Sequence, residues 1–334
     1  MSDFQQEKDL VLSFQQALKA APPGESGPVM ARFCDPELLW RGMHPFDILT
    51  GPETVAAQFW DPLRQSLAHM QRRMDVFMAG RNSLDESGAV WVASMGHFMG
   101  LHDSPWLAIP ATRKIAMLRY AEFHRVAAGR IVETALFFDI PGLMMQAGLR
   151  PFPDQTGAQL IQPGPLPHDA VMTGPQDPAE GDRTLDAINF MIRDLGQWRS
   201  GLPLEEELAR SWHNDMIWWG PAGIGATYTI ERYARQHSGP FRAGLTDRSG
   251  TGHICRFAEG HYGGFFGWPN FTARPTGGLM GMPASDKPGE FRVVDIYRRR
   301  GDKLIENWVF IDLLHFFKTQ GLDILGRVAA MADG

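Results

Sequence analysis

Two segments of the chain set carboxylates beside aromatic residues at strand spacing. In Glu306-Asn307-Trp308-Val309-Phe310-Ile311-Asp312 every second side chain shares a face, so Glu306, Trp308, Phe310 and Asp312 lie together. Glu133, Ala135, Phe137 and Asp139 repeat the arrangement. A carboxylate set against Trp and Phe loses hydration, and desolvation raises its pKa toward neutrality. Such a group exchanges protons with a carbon acid or a carbonyl oxygen near pH 7. Asp139 and Asp312 also stand just before short helical stretches, where an Asp caps backbone N–H groups; capping and proton transfer both suit them. Glu133 and Glu306 are expected in ion pairs with Arg119, Arg292 or another strand arginine, because buried charge persists only when paired.

Histidines supply the second set of candidates. His97 and His261 occupy matching places in Gly96-His97-Phe98-Met99-Gly100 and Gly260-His261-Tyr262-Gly263-Gly264. Imidazole titrates near neutral pH and suits proton transfer, although a lone strand histidine is commonly a hydrogen-bonded packing residue. No His-x-x-x-His or Cys-x-x-Cys spacing points to zinc, so no metal is expected. No Gly-x-Gly-x-x-Gly or phosphate loop opens a helix, and Gly-x-Ser-x-Gly is absent, so no cofactor and no serine nucleophile are expected.

Composition narrows the field. With 334 residues, 44% hydrophobic, 21% charged and a mean hydropathy of -0.22, the chain is globular and long enough for two domains. No apolar run of about 18 residues suggests a membrane span. A net charge of -6 and scarce lysine argue against nucleic acid, and Arg298-Arg299-Arg300 reads as a strand end before a turn. Cys34 and Cys255 are isolated, the start of the chain is polar and acidic, and together these point to a cytoplasmic protein with free thiols.

These residues sit on repeated elements. An offset of 173 aligns 109–149 with 282–322 without a gap and gives ten identities in 41 positions, among them Arg119 with Arg292, Glu133 with Glu306 and Asp139 with Asp312. Upstream, an offset of 164 matches the two Gly-His segments and implies nine extra residues around 268–278. Leu38-Leu39-Trp40 is set against Ile217-Trp218-Trp219. Each half opens with helical periodicity (Leu10, Val11, Phe14, Ala17, Leu18; Leu185, Ile188, Met191, Ile192, Leu195). A further helix after Pro52 is expected to break at Pro62. The period then switches to two over 70–78, 89–99, 115–126 and 130–139, and again over 253–262, 291–300 and 303–312. Short helices at 141–147 and 314–320 close the halves. Helices first and antiparallel strands later make an α+β fold. Seven prolines in 150–181 mark a linker, giving domains over 1–150 and 182–334 with a linker over 151–181.

This pattern resembles the SnoaL-like polyketide cyclases of the nuclear-transport-factor-2-like superfamily, which also holds ketosteroid isomerases. One carrier is Gly100-Leu101-His102 followed by Ile109-Pro110-Ala111-Thr112. The other is the closing strand, Leu304-Ile305-Glu306-Asn307-Trp308 through Asp312, with Ile131 through Asp139 as its first copy. The resemblance implies two tandem cone-shaped domains, each a curved antiparallel sheet wrapped around helices with one deep pocket. It implies that the halves pair as an intramolecular pseudo-dimer, with further homodimerisation left open. It carries an acid-base role without metal or cofactor onto Asp139 and Asp312, as in intramolecular aldol ring closure, and brings His102 to the pocket mouth. His97 and His261 join as proton carriers. His44, Trp40, Trp60, Trp219 and Trp308 are expected to contact the ligand.

The halves differ. The first keeps His97, His102 and Asp139 together and is the expected chemical half; the second has Phe266 in place of that His but retains Trp308. The implied function is a cofactor-independent cyclase, isomerase or lyase acting on a small carbonyl compound in an apolar pocket. The alternative is a non-catalytic small-molecule binding or scaffold protein of the same fold, and a third reading is a protein-interaction module.

Overall fold

The computed structural model describes residues 4–196 and 201–332; the acidic start Met1–Asp3 lies outside them. The chain forms two compact units. The N-terminal unit gathers the chain up to Pro151, Val171–Pro175 and the stretch from Gly321; the C-terminal unit gathers Phe152–Ala170 and Gln176–Gln320. The proline-rich segment is therefore divided between them.

Each unit is a helix-backed open sheet. The N-terminal sheet has β1 (Cys34–Gly42), β2 (Ile48–Thr50), β3 (Leu67–Arg81), β4 (Val90–His102), β5 (Ile115–Ala127) and β6 (Arg130–Phe138), in the order β2-β1-β6-β5-β4-β3. The C-terminal sheet has β7 (Trp212–Trp219), β8 (Ala226–Tyr228), β9 (Leu245–Gly250), β10 (Cys255–Glu259), β11 (Tyr262–Pro275), β12 (Gly289–Arg300) and β13 (Lys303–Ile311). Its order is β10-β11-β12-β13-β7-β8, with β9 also on β11. The sheets are mixed rather than wholly antiparallel, because β1 runs parallel to β6 and β7 parallel to β13. No hairpin dictates the direction of those pairs, since the whole meander separates their partners in sequence.

The expected opening helices are present as Gln5–Ala20 and Pro178–Gly196, with Val11, Phe14, Leu18, Ile188 and Met191 buried along their apolar stripes. The break expected at Pro62 does not occur. A π turn, Ala56–Trp60, joins Pro52–Val55 to Asp61–Ser66, and Pro62 sits in the first turn of the last piece. The wider turn shifts the carbonyl that the pyrrolidine ring would meet. The C-terminal unit repeats the device in Ile230–Tyr233, Ala234–Ser238 and Gly239–Gly244, with Pro240 in place of Pro62.

The offset of 173 carries β6 end to end onto β13, and helix Ile140–Gln146 onto Leu313–Thr319. It also carries the register shift at Arg125/Val126 onto the one at Arg298/Arg299. Upstream the ladders correct the alignment. Trp91 pairs with Arg125 and Tyr262 with Arg298, while Ser94 pairs with Glu122 and Phe265 with Asp295. Beyond the register shift at Gly267/Phe271, Phe98 corresponds to Phe271. The insertion in β11 is therefore two residues at that bulge, not nine. His97 and His261 are not equivalent: His97 lies within β4, whereas His261 is in the turn between β10 and β11, which splits the strand expected over 253–262. The counterpart of His102 is Pro275, at the end of β11, rather than Phe266. Trp40 faces Thr134 and Trp218 faces Asn307, so Trp218 and not Trp219 repeats Trp40. In each copy the indole folds over a glycine two residues on. A Cβ added at Gly42 would lie 2.1 Å from the Trp40 ring, and one at Gly220 would lie 1.9 Å from the Trp218 ring.

Candidate functional site

A cavity of about 820 Å³ opens in the C-terminal unit, a size typical of small-molecule sites. Its sheet wall is built from Val293, Asp295 and Tyr297 on β12 and from Asn307, Val309 and Ile311 on β13. The helix Pro178–Gly196 contributes Met191, Ile192 and Leu195, and the π turn contributes His237. Trp218, Tyr233, Phe241, Phe271 and Phe291 complete an aromatic lining.

Two carboxylates line the cavity: Asp247, which is ion-paired with Arg274, and Asp295. Asp295 is half-buried within that lining. Burial raises its pKa to about 6; hydrogen bonds from Asn307 and Tyr297 and the charge of Arg248 hold the rise back. Asn307 Nδ2 donates to Asp295 Oδ1 at 3.1 Å and to the Ile296 carbonyl at 3.1 Å, which fixes the amide. Burial, then Asp295 itself, drives the Tyr297 hydroxyl well above its usual range, and the Tyr233 hydroxyl is raised by the same causes. Both stay protonated donors at any physiological pH. His237 lies flat on Trp218 with ring centroids 3.8 Å apart, and burial lowers its pKa to about 3. His253 stacks on Phe265 at 3.8 Å and is likewise lowered to about 3, by burial and then by Arg256 and Arg248. Two neutral imidazoles and one poised carboxylate therefore face the same space.

The N-terminal unit places an ion pair at the equivalent positions. Glu122 stands where the other copy has Asp295, and Arg72 stands where it has Gly250, since Arg72 pairs with Phe98 and Gly250 with Phe271. Arg72 Nη1 donates to Glu122 Oε2 at 2.7 Å. Its guanidinium lies 4.7 Å from the Tyr120 ring and 4.9 Å from the Phe98 ring. Burial pushes the Glu122 carboxyl up, but Arg72 and His124 outweigh it and hold the pKa at about 2. His124 Nδ1 and Thr134 Oγ1, 2.9 Å apart, complete a network matching Tyr297 and Asn307 in position.

The residues expected to do chemistry are not brought together. Asp139 and Asp312 do share faces with Glu133 and Glu306, but on β13 the cavity face is the alternate one, bearing Asn307, Val309 and Ile311. Asp139 Oδ1 accepts from Gly142 N at 2.9 Å, and Asp312 Oδ1 from His315 N at 3.2 Å, so both cap the following helix. Asp312 also meets Arg292 at 3.4 Å. Glu306 pairs with Arg298 at 2.7 Å, and Glu133 with Arg41 and with Arg125 at 3.3 Å, as strand ion pairs. Trp308 lies on the face away from the cavity and donates through Nε1 to the Pro163 carbonyl at 3.1 Å. That face is covered by the proline-rich segment, which also brings Asp169 to the Tyr262 hydroxyl.

The remaining candidates are scattered. His261 lies in a turn beside Glu180, 3.4 Å away, and Arg299, 3.1 Å away. His97 sits 3.5 Å from Asp75. His102 is fully buried, with no hydrogen-bond partner on either ring nitrogen among the described residues, and burial lowers its pKa. Trp40 and Trp60 pack around Phe59 in the N-terminal core, at 5.1 and 5.0 Å. His44 is buried 3.6 Å from Asp47. Trp219 is buried outside the cavity lining. Asp295 and its partners were missed, although a signal existed. An acidic residue in the middle of Phe291-Arg292-Val293-Val294-Asp295-Ile296-Tyr297 interrupts a run otherwise suited to a central strand.

Among the described residues no group of three or more His, Cys, Asp or Glu is placed to hold a metal ion, and no helix is long and apolar enough to cross a membrane. Cys34 and Cys255 are free and buried.

Residues 269–319 match the family described as SnoaL-like polyketide cyclase. No curated protein matches the chain. Among solved structures it is similar to a protein from Jannaschia sp. CCS1 described as SnoaL-like polyketide cyclase, at 17% identity over 43% of this chain and 91% of that one, with a TM-score of 0.35. It is also similar to an NTF2-like protein from Burkholderia thailandensis E264, at 20% identity over 43% and 97%, with a TM-score of 0.32. A second NTF2-like protein, from Burkholderia xenovorans LB400, is 14% identical over 42% and 96%, with a TM-score of 0.33. The stretch that matches the SnoaL-like polyketide cyclase family, 269–319, thus lies within the second of two tandem α+β units.

Proposed function

We propose that the C-terminal cavity is an acid-base site acting on an enolisable carbonyl compound, with Asp295 as the group that moves the proton. The observation that carries this reading is a carboxylate held near pKa 6 inside an aromatic cavity of about 820 Å³. At pH 7 such a group is mostly ionised, yet basic enough to accept a proton from carbon and return it. Asn307 and Tyr297 orient it. Tyr233 is the donor available to the oxygen on which charge develops, since its hydroxyl remains protonated and lines the same wall. His237, neutral down to about pH 3, is a flat wall rather than an acid. The outcome of such proton transfer is isomerisation or ring closure, in line with the cyclase family that 269–319 matches.

The test is α-proton exchange of 2-tetralone, a bicyclic enolisable ketone, followed by NMR in deuterium oxide. The full-length protein should accelerate exchange, with a rate that rises through about pH 6. Asp295→Asn should lower it at least about a hundredfold, while Asp312→Asn and Asp139→Asn should leave it within about twofold. Exchange that survives Asp295→Asn sinks the assignment. Binding of the ketone without exchange leaves a non-catalytic binding protein.

A further inference from the structure

We propose that the ligand of the C-terminal cavity carries an uncharged hydroxyl group, separate from the carbon and the oxygen engaged by Asp295 and Tyr233, and that His237 on the π turn receives it. The proposal deepens the reading of this cavity as a ligand site and rests on it.

It comes from comparing the two copies. An offset of 178 carries Trp40, Gly42 and Pro62 onto Trp218, Gly220 and Pro240, and the π turn Ala56–Trp60 onto Ala234–Ser238. The same offset sets Val55, Phe59 and Trp60 against Tyr233, His237 and Ser238. In the N-terminal unit these three side chains are apolar and buried. In the C-terminal unit each carries a hydrogen-bonding group, and all three line the cavity. At the middle position the packing is kept while polar atoms are added. Phe59 lies on Trp40 with ring centroids 5.1 Å apart, and His237 lies on Trp218 at 3.8 Å. For packing alone phenyl is the better group, because burying an imidazole without a hydrogen-bond partner costs free energy.

The chain supplies His237 with no such partner. Among the described residues its ring nitrogens make no hydrogen bond or ion pair, and burial is the one cause that lowers its pKa, to about 3. The ring is therefore neutral, with one N–H donor and one lone pair. The stack on Trp218, with Tyr233 and Phe241 flanking at 5.4 Å each, holds its plane. A neutral ring balances no charge, so the group it matches is uncharged. A hydroxyl suits either tautomer, since it donates to a bare nitrogen or accepts from an N–H; a second carbonyl suits only one.

Calorimetric titration of the full-length protein with 2-tetralone, 6-hydroxy-2-tetralone and 7-hydroxy-2-tetralone reads the added hydroxyl alone. At least one hydroxyketone should bind at least about tenfold more tightly than 2-tetralone. His237→Phe should abolish that preference. His237→Gln should retain part of it, because an amide keeps a donor and an acceptor, and Asp295→Asn should leave it in place. Without ligand, His237→Phe should raise the thermal midpoint, since it removes an unsatisfied polar group; a lowered midpoint would mean that the imidazole serves the fold and overturns the proposal. So do equal affinities for the three ketones, a preference unchanged in His237→Phe, a preference lost only in Asp295→Asn, or no binding of any ketone at millimolar concentration. 2-Tetralone exchange by the unaltered protein keeps the two readings apart. Exchange without a hydroxyl preference removes this subsite and spares Asp295, whereas a preference that depends on His237, without exchange, does the reverse.

Discussion

Two carboxylates at equivalent positions behave in opposite ways because of what faces them. Glu122 has a guanidinium in contact and is held at about 2; Asp295 has an amide and a phenol and rises to about 6. The consequences for stability differ in sign. The folded pKa of Asp295 lies above its ordinary 3.8, so native protein binds that proton more firmly than unfolded chain. Stability contributed by the site is present below about pH 4 and falls as pH rises to about 6. Asp295→Asn should therefore raise stability at pH 7–8 by about 2 kcal/mol, less than full desolvation would give because the cavity admits water, with the gap closing below about pH 4. Thermal midpoints at pH 4 and pH 8 measure it; a variant no more stable at pH 8 contradicts the environment described. Glu122, depressed below its ordinary 4.5, contributes stability above that pH that is lost as pH falls toward about 2. Glu122→Gln strands the Arg72 charge and should cost about 3–5 kcal/mol, read from urea midpoints.

At the scale of elements, the repeated pieces share their packing devices as well as their lengths. Trp40 over Gly42 in β1 and Trp218 over Gly220 after β7 are one such device. Neither glycine has a positive φ, so the requirement is space rather than backbone freedom. Because each indole is buried and fixed in place, a methyl group at either position must displace it. Gly42→Ala and Gly220→Ala should each cost about 1–3 kcal/mol in chemical denaturation. A cost at only one of them would mean that the two indoles are not held alike. The edge strand shows where the copies part. β3 runs unbroken from Leu67 to Arg81, whereas its counterpart is split into β9 and β10 by 251–254. Gly250, Gly252 and His253 at that split line the cavity, so the broken edge and the open interior go together.

For the molecule as a whole, the two copies treat one interior position differently: an arginine-carboxylate pair occupies it in the N-terminal unit, and a carboxylate lines a cavity of about 820 Å³ in the C-terminal one. The difference comes down to a few side chains, chiefly Arg72 against Gly250 and Glu122 against Asp295. Space exists for the reverse change: a Cβ at Gly250 meets nothing within 4 Å. The double variant Gly250→Arg/Asp295→Glu should rebuild the closed ion pair in the C-terminal unit. Its expected signature is loss of 2-tetralone binding, by at least about tenfold, without loss of thermal stability. Binding that persists in a folded double variant would show that the arginine does not account for the difference between the copies.

Much of this protein was legible in its sequence. The offset of 173 placed β5, β6 and the closing helices of both copies, because hairpins and short caps are determined by neighbouring residues. Alternation correctly grouped Glu306, Trp308, Phe310 and Asp312 on one face, and the stripes of the opening helices marked Val11, Phe14, Leu18, Ile188 and Met191, which are buried, along with Leu10, Ala17, Leu185, Ile192 and Leu195, which are half-buried. The ion pairs of Glu133 and Glu306 and the capping by Asp139 and Asp312 follow from the same local rules. Period two, however, separates the faces of a strand without saying which one looks inward, and β13 is buried on both. The tertiary structure decided that point by covering the carboxylate face with the proline-rich segment and turning the other toward the helices. It also decided which copy is open, since the partner that closes or vacates the interior comes from β3 or β9, some fifty residues from the carboxylate it faces. Contacts of that range leave no period in the sequence, and so Asp295 emerged only when the strands were brought together.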